Sequence, residues 1–329
     1  MNIVRAPLRI TLGGGGTDLP GWYKENGGFL ISAAINKYIY LTGSRRNFDN
    51  KLWLSYSQVE ICDSVDQIKH EIFAKCLEKY DISRGIEIHS ISELPGGSGL
   101  GSSGTFTVSL LRLLNIMLRR DMTMKELAEF AASIEMVELG RSCGKQDQYI
   151  AVYGGVITLD ISKNGDVNVE VLDLDSITLK GLNSNLLLYY TGVSRDANMI
   201  LAEQNDLLRK RKLSPTAGMK RIQEIGYKSK EELLSGNLDE FGRLLDEHWE
   251  VKKSMSKKMS NQDIDNLYYY AKECGALGGK VVGAGGGGYF MFYVPPALHL
   301  SFRKKMVGKG LSELNWDFDF QGVTKIFSG

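Results

Sequence analysis

Five glycines fall within nine positions, Gly96, Gly97, Gly99, Gly101 and Gly104, between two segments whose own patterns are plain. Before them, Ile86–Ser92 (IEIHSIS) alternates apolar and polar residues as a half-buried strand does. After them, residues 105–118 (TFTVSLLRLLNIML) are apolar nearly all round and free of Gly and Pro, which suits a buried helix. The order strand, glycine loop, helix puts backbone N–H groups and the Ser102 and Ser103 hydroxyls at a helix N-terminus. Unpaired donors and the positive end of the dipole attract anions there. A triphosphate fits that description, and so does a plain glycine turn with serine caps.

Two more glycine groups flank this one along the chain. Residues 13–16 are four consecutive glycines, and Gly275, Gly278, Gly279, Gly283 and residues 285–288 form the last group, so nearly half of the 37 glycines lie in three short stretches. Glycine loses more backbone entropy on folding than any other residue, and is placed where φ must be positive or a backbone must come close. The clustering, with only six prolines, excludes a collagen-like chain. Forty Lys and Arg against 39 Asp and Glu leave no global field to draw the chain to nucleic acid or an anionic membrane. With 43% hydrophobic residues and 329 positions, a large core and about two domains are expected.

Cys62, Cys76, Cys143 and Cys274 are far apart without a C-x-x-C pair, and His70, His89, His248 and His299 are equally scattered. A zinc site or a disulfide framework is therefore not expected. No apolar run reaches the ~18 residues of a membrane span, and the first residues lack a signal-peptide apolar stretch. The expectation is a soluble, cytoplasmic protein.

Competing loop motifs fail on context. Gly99-Leu-Gly-Ser-Ser-Gly104 fits G-x-G-x-x-G, but a dinucleotide fold needs a second strand ending in an acidic residue about 20 positions on. The chain is helical in pattern from Thr123 instead. No glycine loop ends in Gly-Lys-Ser/Thr, and neither H-R-D nor D-F-G occurs, which excludes a Walker loop and argues against a protein kinase.

Downstream, Thr123 and Glu126 form a capping box that opens a helix with an apolar stripe of Met124, Leu127, Ala128, Ala131 and Ile134. The stripe continues onto Glu135 and Glu138. A buried carboxylate needs a partner such as Mg²⁺, whereas a fraying helix end would leave both in solvent. Asp147, in Gly144-Lys-Gln-Asp-Gln-Tyr149, either caps a helix or accepts a hydroxyl proton in phosphoryl transfer, with Lys145 nearby as an anion anchor.

Together these segments resemble the GHMP kinase superfamily, the group of galactokinase, homoserine kinase, mevalonate kinase and phosphomevalonate kinase. Three motifs match in the family's order: Arg5-Ala-Pro-Leu-Arg9-Ile-Thr-Leu-Gly-Gly-Gly-Gly-Thr17-Asp18, Pro95-Gly-Gly-Ser-Gly-Leu-Gly-Ser-Ser103, and Gly283-Ala-Gly-Gly-Gly-Gly288. Within the superfamily, Gly144-Lys-Gln-Asp-Gln-Tyr149, Tyr190-Thr-Gly-Val-Ser-Arg195 and Glu247-His-Trp-Glu-Val-Lys-Lys-Ser254 are similar to the D-glycero-D-manno-heptose 7-phosphate kinases. Galactokinases carry Glu-His where this chain has Gly15-Gly16, and fucokinases share part of the pattern.

The resemblance implies an α+β fold of two domains, at residues 1–180 and 181–329. The first would be like ribosomal protein S5 domain 2 and the second ferredoxin-like, with the site between. It implies ATP and Mg²⁺ as cofactors, and a sugar phosphate acceptor phosphorylated at its anomeric hydroxyl for nucleotide-activated heptose synthesis. Pro95, Gly96, Gly97, Ser98, Gly99, Leu100, Gly101, Ser102 and Ser103 would wrap the triphosphate, with Ser102 and Glu135 on the metal and Glu138 structural. Asp147 would be base or charge stabiliser and Arg9 the cation at the reacting centre. Asp18, Thr17 and Gly16 would meet the sugar, and Gly285 and Gly286 would belong to the loop supporting the first two motifs while bordering the substrate. Lys145, Arg195 and Lys252 are candidates for the acceptor's far phosphate, or ordinary surface residues.

The remaining pattern predicts strands at 29–41 and 51–56, helices at 65–80 and 123–139, and alternating strands over 156–179 around Asn164-Gly165. A buried strand at 185–191 opens the second half, and Leu238, Phe241, Leu244, Leu245 and Trp249 form a helical core stripe. The basic run 209–212 ends a helix before Pro215, where cations favour the dipole.

Overall fold

The computed structural model describes residues 1–192, 197–210, 213–256 and 258–329. Among these residues the first half runs β1 (Asn2–Gly13), α1 (Pro20–Asn26), β2 (Gly28–Arg45), β3 (Leu52–Ser55), β4 (Val59–Cys62), α2 (Glu71–Lys79), β5 (Ile86–Ser92), α3 (Ser102–Leu118), α4 (Met124–Ser133), α5 (Gln146–Tyr153), β6 (Val156–Ile161) and β7 (Val167–Val171). The second half runs α6 (Ser176–Asn185), β8 (Leu186–Tyr190), α7 (Ala197–Arg209), α8 (Leu213–Leu234), α9 (Leu238–Met255), α10 (Gln262–Glu273), β9 (Gly278–Val281), β10 (Tyr289–Tyr293), α11 (His299–Gly308), β11 (Glu313–Leu314) and β12 (Thr324–Ser328).

The larger sheet has the order β12-β1-β2-β5-β3-β4, and the first part of β2 also pairs with β6, which carries β7. Strands β1 and β2 form its centre. Val4, Ala6, Leu8, Ile10 and Leu12 are fully buried, and the apolar α3 packs on both strands, with Val108, Leu110, Leu111, Leu113 and Leu114 also fully buried. The register between β1 and β2 shifts after Pro7, a residue with no N–H to give to a ladder, and Arg9 then sits opposite Ala34.

The smaller sheet has the antiparallel order β11-β8-β10-β9. Numbered within the sheet this is 4-1-3-2, the order of a ferredoxin-like β-α-β-β-α-β unit with several helices in the first crossover. Its helix-covered face is aromatic: Trp249, Tyr268, Phe290, Phe292 and Phe302 are buried in one cluster. The stripe on α9 is thus core, as its spacing predicts, with Phe241, Leu244, Leu245 and Trp249 all buried. The architecture is α+β.

Three local features differ from the sequence pattern. Residues 176–179 are helical, because the Asp175 side chain accepts from the Ile177 and Thr178 amides, each at 2.8 Å, and caps α6. The helix after Thr123 widens into a π turn at Ile134–Glu138, which separates the two carboxylates: Glu135 is buried, and Glu138 lies outside in an ion pair with Lys79. The chain also does not stay in the second half. β12 returns to pair with β1, and the Gly329 amide donates to the Met1 carbonyl at 3.1 Å.

Candidate active site

The central glycine loop crosses from β5 to α3 with Gly97, Gly99 and Gly101 all in the left-handed region. Gly101 is the N-cap of α3 at φ 83°, a conformation that costs a residue with a Cβ. Its neighbours hold the loop by backbone. The Arg9 amide of β1 donates to the Leu100 carbonyl at 3.0 Å, and the Tyr289 amide of β10 to the Ser98 carbonyl at 3.1 Å. A Cβ on Gly283 would come within 2.6 Å of the Gly99 carbonyl oxygen, so the last glycine loop lies directly against the central one.

The outer side of this loop borders an open cleft of about 620 Å³, lined among others by Pro95, Gly96, Gly97, Ser102, Ser103, Arg141, Tyr56, His70 and Phe106. Ser98 and Leu100 point inward and are buried, so they offer the cleft only backbone. The Ser102 hydroxyl, in the first turn of α3, is buried without a hydrogen-bond partner among the described residues and suits an anionic or metal-bound ligand.

Behind them Glu135 is 2% exposed and accepts from the Ser103 hydroxyl, from Thr107 Oγ1 at 3.2 Å, from Gln148 Nε2 at 2.8 Å and from Arg141 Nη1 at 3.4 Å. Burial pushes its carboxyl pKa up while the Ser103 and Gln148 donors oppose this. The serine hydroxyl bonded to Glu135 is that of Ser103, next to the Ser102 expected on the metal. Among the described residues no cluster of three His, Cys, Asp or Glu side chains is disposed to hold a metal. A cation here would rest on Glu135, a serine hydroxyl and the phosphates themselves, a donor set of hard oxygens that suits Mg²⁺.

On the inner side of the loop, Arg9 is 4% exposed. Its Nε donates to Asp147 Oδ1 at 2.7 Å and its Nη1 to the Gly99 carbonyl. Asp147 stands in the first turn of α5 without acting as its cap, so the turn positions it but does not consume it. The pair opens onto a second, narrow cleft of about 60 Å³, whose N-terminal wall is Arg9, Thr11, Gly15, Gly16, Asp18, Gly144, Gln146 and Asp147. Asp18 is almost fully buried, accepts the Gln146 amide at 3.1 Å, and has its pKa raised by burial. The opposite wall is Leu201 and Gln204 of α7, His248 and Lys252 of α9, and Lys280, Gly283 and Ala284 in and after β9.

Two family models match the chain: the GHMP kinases N-terminal domain over residues 67–155 and the GHMP kinases C-terminal domain over 229–297. The D-glycero-alpha-D-manno-heptose 7-phosphate kinase of Campylobacter jejuni is 30% identical over 97% of both chains. The chain belongs to the GHMP kinase family. As a kinase of this family it is an ATP-dependent phosphotransferase. A solved structure described as a D-glycero-D-manno-heptose 1-phosphate kinase from Bacteroides thetaiotaomicron superposes with a TM-score of 0.81 at 26% identity, covering all of both chains. Lactococcus lactis galactokinase shares the fold with a TM-score of 0.78 at 20% identity, covering 99% of this chain and 95% of that one.

Several residues singled out from the kinase sequence stand around the inner cleft and others stand behind it. Arg9, Asp147, Asp18, Gly16 and Lys252 line it. Thr17 lies beneath, fully buried, its hydroxyl shared between the Gly14 and Phe29 carbonyls at 2.8 Å each, and so holds the turn. Lys145 faces away and donates to both Glu129 carboxylate oxygens at 2.8 Å and to the Gly165 carbonyl. Gly285 and Gly286 are buried behind the wall, where the Gly286 amide meets the Met259 carbonyl. Arg195 lies outside the described residues. Two lining residues carry no weight in the sequence pattern: His248 and Lys280. The available signal was a lysine set inside a buried strand, three residues before Gly283, and a histidine one helical turn before Lys252.

Proposed function

We propose that this kinase uses Mg²⁺ and ATP to phosphorylate the anomeric hydroxyl of D-glycero-D-manno-heptose 7-phosphate, giving the 1,7-bisphosphate. The observation that carries the substrate is the likeness to the Campylobacter heptose 7-phosphate kinase, which extends over 97% of both chains. Gly15 and Gly16 support it by leaving the N-terminal wall without the Glu-His of galactokinases.

Phosphoryl transfer requires positioning and charge neutralisation more than covalent chemistry from the protein. In this reading the outer cleft takes the nucleotide. Residues 96–103 give backbone donors to the triphosphate, and Glu135 with Ser102 or Ser103 holds Mg²⁺. Bound Mg²⁺ would supply neutralisation of charge on the phosphates. Arg9 bridges the two clefts: one side of its guanidinium fixes Asp147, and the other is tied to the phosphate loop, so acceptor and donor sides share one rigid cation. Asp147 then faces the attacking hydroxyl as proton acceptor or charge stabiliser, and Asp18 accepts from a sugar hydroxyl. An anomeric hydroxyl is more acidic than an ordinary alcohol, so its proton passes more readily to a carboxylate beside it.

The same reading divides the chain near residue 180, with the nucleotide loop in residues 1–180, and places the protein in the cytoplasm where ATP and sugar phosphates are available. Among the described residues no helix is long and apolar enough to cross a membrane. The test is an acceptor panel with Mg-ATP: heptose 7-phosphate, unphosphorylated heptose, fucose, galactose and mevalonate. Formation of the 1,7-bisphosphate with the highest kcat/KM supports the assignment. A higher value for fucose or galactose transfers it to that sugar, and sugar binding without turnover would make the protein a sensor.

A further inference from the structure

The two walls of the inner cleft differ in how their charges are satisfied. On the N-terminal wall Arg9 is paired with Asp147, and Asp18 accepts a backbone amide. On the other wall Lys280 is 3% exposed, and among the described residues it makes neither an ion pair nor a hydrogen bond. Burial, and after it the positive charges of Lys252 and Arg9, drive its pKa well below the usual lysine range. Lys252 is 7% exposed, with its ammonium on the Gly283 carbonyl at 2.6 Å. His248, one turn earlier on α9, is 1% exposed and its Nδ1 is buried without a partner among the described residues.

An unpaired cation buried beside a second cation is costly, and the two described carboxylates of the cleft are engaged elsewhere, Asp147 by Arg9 and Asp18 by the Gln146 amide. The relief comes from outside. Two ammonium groups and an imidazole facing one cleft match a phosphate monoester, which carries close to two negative charges and several acceptor oxygens. We propose that Lys280, with Lys252 and His248, forms an anion subsite that holds the phosphate already present on the acceptor. This rests on the reading of the acceptor as a sugar phosphate, and it assigns the recognition of that phosphate to α9 and β9, away from Lys145.

The triphosphate is the other source of phosphate near this wall, and the experiment separates the two. Lys280→Met keeps the apolar stem and removes the charge; Lys280→Arg keeps the charge. Kinetics are measured with heptose 7-phosphate, with the same heptose lacking its phosphate, and with ATP varied. The preference for the phosphorylated acceptor, as a ratio of kcat/KM values, is expected to fall about 10- to 100-fold in Lys280→Met, the size of one charged hydrogen bond, and to survive within a few-fold in Lys280→Arg. In the absence of substrates, inorganic phosphate should raise the Tm of the wild type more than that of Lys280→Met. The subsite is overturned if the preference is unchanged, or if both acceptors lose equally while the KM for ATP rises, which would give Lys280 to the triphosphate. A wild type that phosphorylates a different sugar phosphate, with the same loss in Lys280→Met, retires the heptose assignment and keeps the subsite.

Discussion

The two clefts flanking the central glycine loop are built of different materials. Where it borders the glycine loop the outer one is largely backbone, with the Ser102 and Ser103 hydroxyls at the mouth of α3 and, behind them, a carboxylate already surrounded by four donors. The inner one is charged side chains drawn from both halves of the chain, with the second half contributing Lys252 and Lys280, neither of them in an ion pair among the described residues. Backbone donors recognise what every nucleotide triphosphate has in common. Side-chain charge is where one acceptor is told from another, and its cost in the empty protein is the counterpart of that selectivity.

Breaking the junction between the clefts should have the largest effect. Asp147→Ala is expected to lower kcat by about 10²- to 10⁴-fold while ATP binding, followed by calorimetry, stays near wild type. Near-normal turnover would remove Asp147 from the chemistry. Removing the carboxylate of the outer cleft comes next: Glu135→Gln should raise the Mg²⁺ concentration for half-maximal rate by about 10- to 100-fold, measured by titration at saturating ATP. A Mg²⁺ requirement unchanged in that variant would detach the metal from Glu135.

Backbone recognition itself can be tested at Gly99, where φ is 84° and a Cβ would come within 2.4 Å of the Val282 carbonyl oxygen. Gly99→Ala should cost about 1–3 kcal/mol in stability by denaturant titration and weaken ATP more than the acceptor. Equal weakening of both would show that the loop serves the two clefts alike. The smallest effect concerns Lys252, whose pKa burial and the Arg9 charge lower to about 8. Its ordinary value is near 10.5, so between these limits the unfolded chain holds a proton that the native one has released. Stability relative to Lys252→Met therefore rises as pH goes from about 8 toward 10.5, and below pH 8 the full cost is present. Parallel stability curves for the two proteins across that window would contradict it.

The sequence and structure agree best where function is local. A strand, a glycine loop and a helix are contiguous, and the amides of Gly96 to Ser103 need no distant partner to be recognisable. Arg9 and Asp147 stand in short motifs, though their hydrogen bond across 138 positions does not follow from either one. The Glu135 and Glu138 pair was ambiguous because an ideal helix puts both on one stripe, and the π turn that separates them leaves no mark in the periodicity. Residues 172–179 continue a period of two that Asp175 overrides by capping a helix. The inner cleft was least legible. Lys145, adjacent to the motif, is bound to Glu129, whereas Lys280 and His248 reach the site only because β9 and α9 pack together.

The contact of Gly99 with Gly283, and of Gly288 with the Ser98 carbonyl, joins the two glycine loops without a side chain between the facing glycines. Such a seam has nothing to trim or enlarge when a neighbour changes. Substitutions on one side cannot be rescued on the other, so correlated variation among relatives will be silent at the place where the two halves of the molecule press most closely on the nucleotide loop.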